Sequence, residues 1–150
     1  MKTIVALFLL FLFSSSIAQN IEVNPKAETL LNDFMKALAI KDADESAKEC
    51  LKYVHKSLKN ASGDDLTKDL RNFSFKKAHD NVKFYANPVK ITRVRKNGVT
   101  AIGFKETGEK GDEYSYFISK KSDVKGMPAP VNIFFPADGG EPKISYMGSL

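Results

Sequence analysis

Two apolar periodicities divide this chain, and each dictates a different kind of element. From Ala27 onward, Leu30, Leu31, Phe34 and Leu38 recur at i+3, i+4, i+7 and i+11, one stripe of a helix, with Met35 widening it. Ala47, Cys50, Leu51, Val54 and Leu58 form a second stripe. Beyond Val89 the pattern changes to β-branched and aromatic residues alternating with period two and punctuated by Gly, Pro, Asn and Asp. Helices gathered first and strands afterwards predict an α+β domain, with N-terminal helices packed on the concave face of a curved antiparallel sheet, rather than an alternating α/β fold.

Local signals set the expected boundaries. Asn24 caps a helix with Pro25 at its first position, running to about Ile40. Lys41-Asp42-Ala43-Asp44 interrupts the pattern, and Asp44 offers the next cap. The second helix carries its stripe to Leu58 and stops at Asn60-Ala61-Ser62-Gly63. A third, short helix starts at Asp64 or Asp65 with Leu66, Leu70 and Phe73 on its apolar side. Strands are expected over residues 89–95, 99–105 (joined through the Asn97-Gly98 hairpin turn), 113–120, 131–135 and 143–150, with 82–85 as a further short one. No internal repeat is visible.

The N-terminus reads as a targeting segment. Lys2 precedes ten unbroken apolar residues, 4–13, then three serines and the small-x-small Ser16-Ile17-Ala18. That is the form of a secretory signal peptide cut before Gln19. The apolar run is short of the roughly 20 residues a membrane span needs. Residues 19–150 are then one domain, expected to be soluble and secreted or periplasmic. The one cysteine, Cys50, allows no intrachain disulfide, so stability rests on an ordinary core. Lysine outnumbers arginine 20 to 3, which fits an AT-rich bacterial source. In such a host the sequons at Asn60 and Asn72 are chance matches.

The order of elements resembles the nuclear transport factor 2-like (cystatin-like cone) superfamily. The resemblance lies in the long first helix ending Phe34-Met35-Lys36-Ala37-Leu38-Ala39-Ile40-Lys41-Asp42, the helix directly after it, and the closing Ile133-Phe134-Phe135-Pro136 to Pro142-Lys143-Ile144 hairpin. The family's usual Trp in the closing strand is absent, and Pro142 stands about there. The resemblance implies a cone pocket between helices and sheet, and a habit of dimerising through the sheet. It also admits dehydratase and isomerase chemistry alongside members without activity, so it fixes no function.

The expected strand interiors carry no Asp, Glu or His, and a general base has to reach within about 3 Å of its proton, or through one water. A sheet-borne carboxylate pair is therefore not expected. His55 flanks the second stripe and His79 sits in a polar stretch. With two distant histidines and one cysteine, no metal-ligand spacing exists. No nucleotide or phosphate-loop fingerprint appears, and no cofactor is expected. Asp42 and Asp44 read as caps, and Cys50 as a small hydrophobe in the core.

Charge is uneven. Residues 68–96 hold nine basic and two acidic side chains, whereas 19–67 and 97–150 are each slightly acidic. Lys76, Lys77, Lys83, Lys90, Arg93, Arg95 and Lys96 make this a candidate anion-binding surface, or else a solvated strand edge. An anionic envelope component suits an exported chain better than nucleic acid. The leading expectation is a non-catalytic binding domain taking a small apolar ligand in a pocket lined by Phe34, Leu38, Val54, Phe104, Tyr116, Ile118, Ile133 and Phe135. The alternative is a dehydratase- or isomerase-like enzyme using His55 and Tyr116 as acid/base partners.

Overall fold

The computed structural model describes residues 22–97 and 108–150. Helix α1, Pro25–Leu38, starts as its sequence dictates: the Asn24 side chain accepts the Lys26 backbone N–H at 2.9 Å, and Pro25 has no N–H to satisfy. Its stripe of Ala27, Leu31, Phe34 and Leu38 is fully buried. Helix α2, Ala43–Cys50, is capped by Asp42 rather than Asp44, with Oδ1 accepting from the N–H groups of Asp44 and Glu45.

Helix α2 is shorter than its stripe. After Cys50 the chain turns and runs extended, with Ile144 N–H donating to Tyr53 O at 2.9 Å and His55 N–H donating to Ile144 O at 2.7 Å. These two bonds replace those a longer helix would make. Val54 still reaches the core, by a parallel bridge to Ile144 instead of a helical position. Leu58 falls in a short 3-10 turn, Lys56–Leu58.

The third helical region also departs from its sequence pattern. Asp64 is occupied by the preceding loop, where its carboxylate accepts from Asn60 and Ser62. Helical backbone begins at Lys68, passes through a π-helical stretch Leu70–Phe75, continues as α3, Lys76–Asn81, and tightens to a 3-10 turn, Val82–Phe84, where a strand had been expected. The wider π turn advances the phase of the helix, so Phe75 is buried and Phe73 is 71% exposed.

Strands β1, Ile91–Lys96, β2, Gly111–Ile118, β3, Ala129–Pro136, and β4, Lys143–Tyr146, form an antiparallel sheet in sequence order. Strand β2 starts at Gly111, ahead of its aromatic run, because the β2–β3 ladder continues through Asp112↔Phe135 to Gly111↔Pro136. The expected strand 99–105, including Phe104, lies outside the described residues. Alternation gives the sheet two distinct faces. Tyr116, Ile118, Val131, Ile133 and Ile144 join the helix residues in one apolar cluster. Glu113, Ser115, Phe117 and Phe134, also buried, point the other way. Among the described residues no helix is long and apolar enough to cross a membrane.

Candidate functional site: a cavity at the end of the sheet

A cavity of about 910 Å³ opens between the segment entering α1 and the adjoining ends of β2 and β3. Val23 and Pro25 border it on one side, and Val94, Tyr114, Tyr116 and Phe135 supply its apolar wall. The Tyr114 and Phe135 rings meet edge to face at 5.6 Å, which fixes the shape of that wall. Tyr116 is buried, and burial together with the neighbouring Tyr114 pushes its phenol up to about 12, so it stays a neutral hydroxyl. The polar rim is rich in acceptors. Among the described residues, Glu22, Glu109, Asp112 and Glu113 line the cavity against one cation, Lys110.

Glu109 ties this rim to His55. The imidazole is 3% exposed, with its edge on the Phe134 ring at 5.1 Å. Ser57 N–H donates to Nδ1 at 3.2 Å and Ser57 Oγ lies 2.8 Å from the same nitrogen, so in the neutral ring Nδ1 accepts. Nε2–H then donates to Glu109 Oε2 at 2.5 Å. Burial holds the His55 pKa below its ordinary 6.5, against the pull of Glu109. Burial pushes the Glu109 carboxyl up, but contacts to His55 and to Lys56, 3.3 Å away, outweigh it and hold it below its ordinary range.

Gly111 makes this packing attainable. A Cβ there would meet the Phe134 ring at 2.7 Å and the backbone oxygen of Phe135 at 2.2 Å, so only glycine lets Phe134 lie against the strand and support His55. Further along β2, Glu113 is a buried carboxylate satisfied by neutral donors: Ser145 Oγ at 2.5 Å, Asn97 Nδ2 at 2.9 Å and Asn132 Nδ2 at 3.3 Å. The sheet therefore does carry carboxylates, Asp112 and Glu113, contrary to the sequence reading, which places Asp112 in the turn and Glu113 at the strand's end rather than its interior. Among the described residues no three ligand-type side chains form a metal site.

Of the pocket residues expected from sequence, Tyr116 and Phe135 line the cavity. Phe34, Leu38, Val54, Ile118 and Ile133 are solid core with at most 1% exposure and do not line it. Phe104 lies outside the described residues. The suggested pair of His55 and Tyr116 is not brought together: Tyr116 belongs to the core face, while His55, one residue past Val54, packs on Phe134 of the opposite face. His79, in what the sequence shows as a polar stretch, is part of α3, stacked on Phe75, with Nε2 bonded to Ile40 O at 2.8 Å. Cys50 is core, its thiol pushed up to about 12 by burial.

The seven basic residues spread over α3, the 3-10 turn after it, the approach to β1 and β1 itself, and do not act alike. Lys76 pairs with Asp80, Lys96 with Asp112, and Lys77 donates to Gly148 O. Lys83 sits over Phe84, and Lys90 is exposed. Arg93 and Arg95 converge on one ring, Phe117. Sequence reasoning missed Val94, Glu109, Gly111 and Glu113 as site residues. The only trace in the sequence is a Gly108–Gly111 pair bracketing charged residues, which reads equally as a turn. No protein-family profile, curated protein or solved structure matches the chain.

Proposed function

We propose that this chain is an exported binding domain of the nuclear transport factor 2-like cone kind, and that the end cavity is its ligand site. The observation that carries the reading is the cavity itself: its volume falls in the 300–1,000 Å³ range, roughly, of small-molecule sites, with an aromatic wall and a few convergent polar groups. Acceptors outnumber donors on the rim, so the favoured ligand is a small, flat, mainly apolar molecule that donates a hydrogen bond. No step of chemistry is needed for this role, and no cofactor. Calorimetric titration with indole, an aromatic ring with one N–H donor, tests it. Wild-type protein should bind saturably, and Val94→Trp, which fills the cavity from β1, should abolish the heat while preserving the fold. Equal heats from both proteins would refute the assignment.

One contact favours a second reading, an acid/base enzyme of the dehydratase or isomerase kind. Glu109 lines the cavity and is hydrogen-bonded to a buried imidazole, the arrangement that orients a proton-transferring pair. In that case the partners are Glu109 and His55, and Tyr116 serves only as wall.

A further inference from the structure

The sheet face opposite the core cluster carries a second recognition feature, at β1. Arg93 and Arg95 stand two apart on one face of this strand, with their guanidinium carbons 3.8 Å and 5.7 Å from the centroid of the buried Phe117 ring. Both side chains are exposed, and among the described residues no carboxylate pairs with either. Two carboxylates of the adjoining strand β2 have other partners: Asp112 holds Lys96, and Glu113 accepts from Ser145, Asn97 and Asn132.

Arginine is scarce here, three residues against twenty lysines, so its placement discriminates. The third, Arg71, is held by Asp44 and Asp65 and lies over Phe75, a structural use of the side chain. Arg93 and Arg95 share the contact with an aromatic ring but, among the described residues, have no acidic partner. Two like charges on neighbouring positions of one strand face repel and lower stability. Contact with the Phe117 ring restricts both guanidinium groups, which lowers the side-chain entropy lost when an outside acceptor binds.

We propose that Arg93 and Arg95, seated on Phe117, form a binding site for a phosphoryl group. Two guanidinium forks present more donors than the two oxygens of a carboxylate can use, whereas a phosphoryl group offers several oxygens and up to two negative charges. The site is distinct from the end cavity, whose lining includes none of Arg93, Arg95 and Phe117. The phosphoryl group belongs either to a soluble phosphate or to a lipid headgroup.

The test follows the three arginine Nε–H signals by nuclear magnetic resonance during a pyrophosphate titration. The Arg93 and Arg95 signals should shift saturably while Arg71 does not. The double variant Arg93→Lys, Arg95→Lys, which keeps both charges, should bind about tenfold more weakly, because lysine lacks the planar fork. Parallel sedimentation with phosphatidylglycerol and phosphatidylcholine vesicles identifies the source. Binding to the anionic vesicles that the double variant loses assigns a headgroup, and pyrophosphate binding alone assigns a soluble phosphate. Absence of saturation with either probe, or a double variant with full affinity, would overturn the proposal.

Discussion

His55 shows how one side chain can serve a turn, a strand edge and a cavity rim together. Its Nδ1 caps the 3-10 turn, its backbone N–H joins the ladder at Ile144, and its Nε2–H holds Glu109. The lowered pKa has a definite consequence for stability. The unfolded chain takes up a proton near the ordinary 6.5 while folded His55 resists it, so the unfolded state binds more protons over that interval. Stability should therefore decline as pH falls from 6.5 through the folded value, and be insensitive to this group above 6.5. Urea midpoints measured across that range check it. His55→Gln should flatten the decline, and an unchanged slope in that variant would assign the effect elsewhere. Gly111 gives a second prediction. Gly111→Ala should cost about 1–3 kcal/mol by overpacking, because one of the clashing atoms is a backbone oxygen that no rotamer change can move. Its thermal unfolding temperature should drop accordingly. Equal stability of Gly111→Ala and wild type would show that Phe134 has room to retreat.

The elements were legible in proportion to how far local signals alone decide them. Helix α1 starts where Asn24 and Pro25 place it and buries the stripe its period announces. Helix α2 was misjudged because periodicity registers that Val54 is buried, not which hydrogen bonds put it there; pairing with Ile144, ninety residues away, is invisible in a local window. The π stretch defeated the pattern for a related reason: Leu70 and Phe73 fit a 3.6 period, but an i+5 turn selects Phe75. Truncation separates the two outcomes. Phe75→Ala should cost about 3–5 kcal/mol, the usual range for a buried phenylalanine. Phe73→Ala should stay within about 0.5 kcal/mol, as for an exposed position. Denaturant titration of both variants decides it, and reversed values would restore the simpler helix.

For the molecule as a whole, the order of helices and strands carried the α+β class, because binary patterning reports which residues are buried. It did not place the cavity. The positions expected to line a central pocket, Phe34, Leu38, Ile118 and Ile133, are all apolar, and apolar residues from opposing elements close on one another unless something holds them apart. The cavity lies instead at the end of the sheet, bounded by the segment entering α1 and the carboxylate-bearing start of β2. That arrangement brings together residues such as Val23 and Phe135, distant in sequence, which line one cavity only after folding. The central claim is that this end cavity receives a ligand. Chemical-shift mapping of the isotope-labelled protein during an indole titration tests it directly. The account predicts saturable shifts centred on Val94, Tyr114, Tyr116 and Phe135, with Phe34 and Leu38 unmoved; shifts that grow linearly without saturation, or that centre on any other part of the surface, would contradict it.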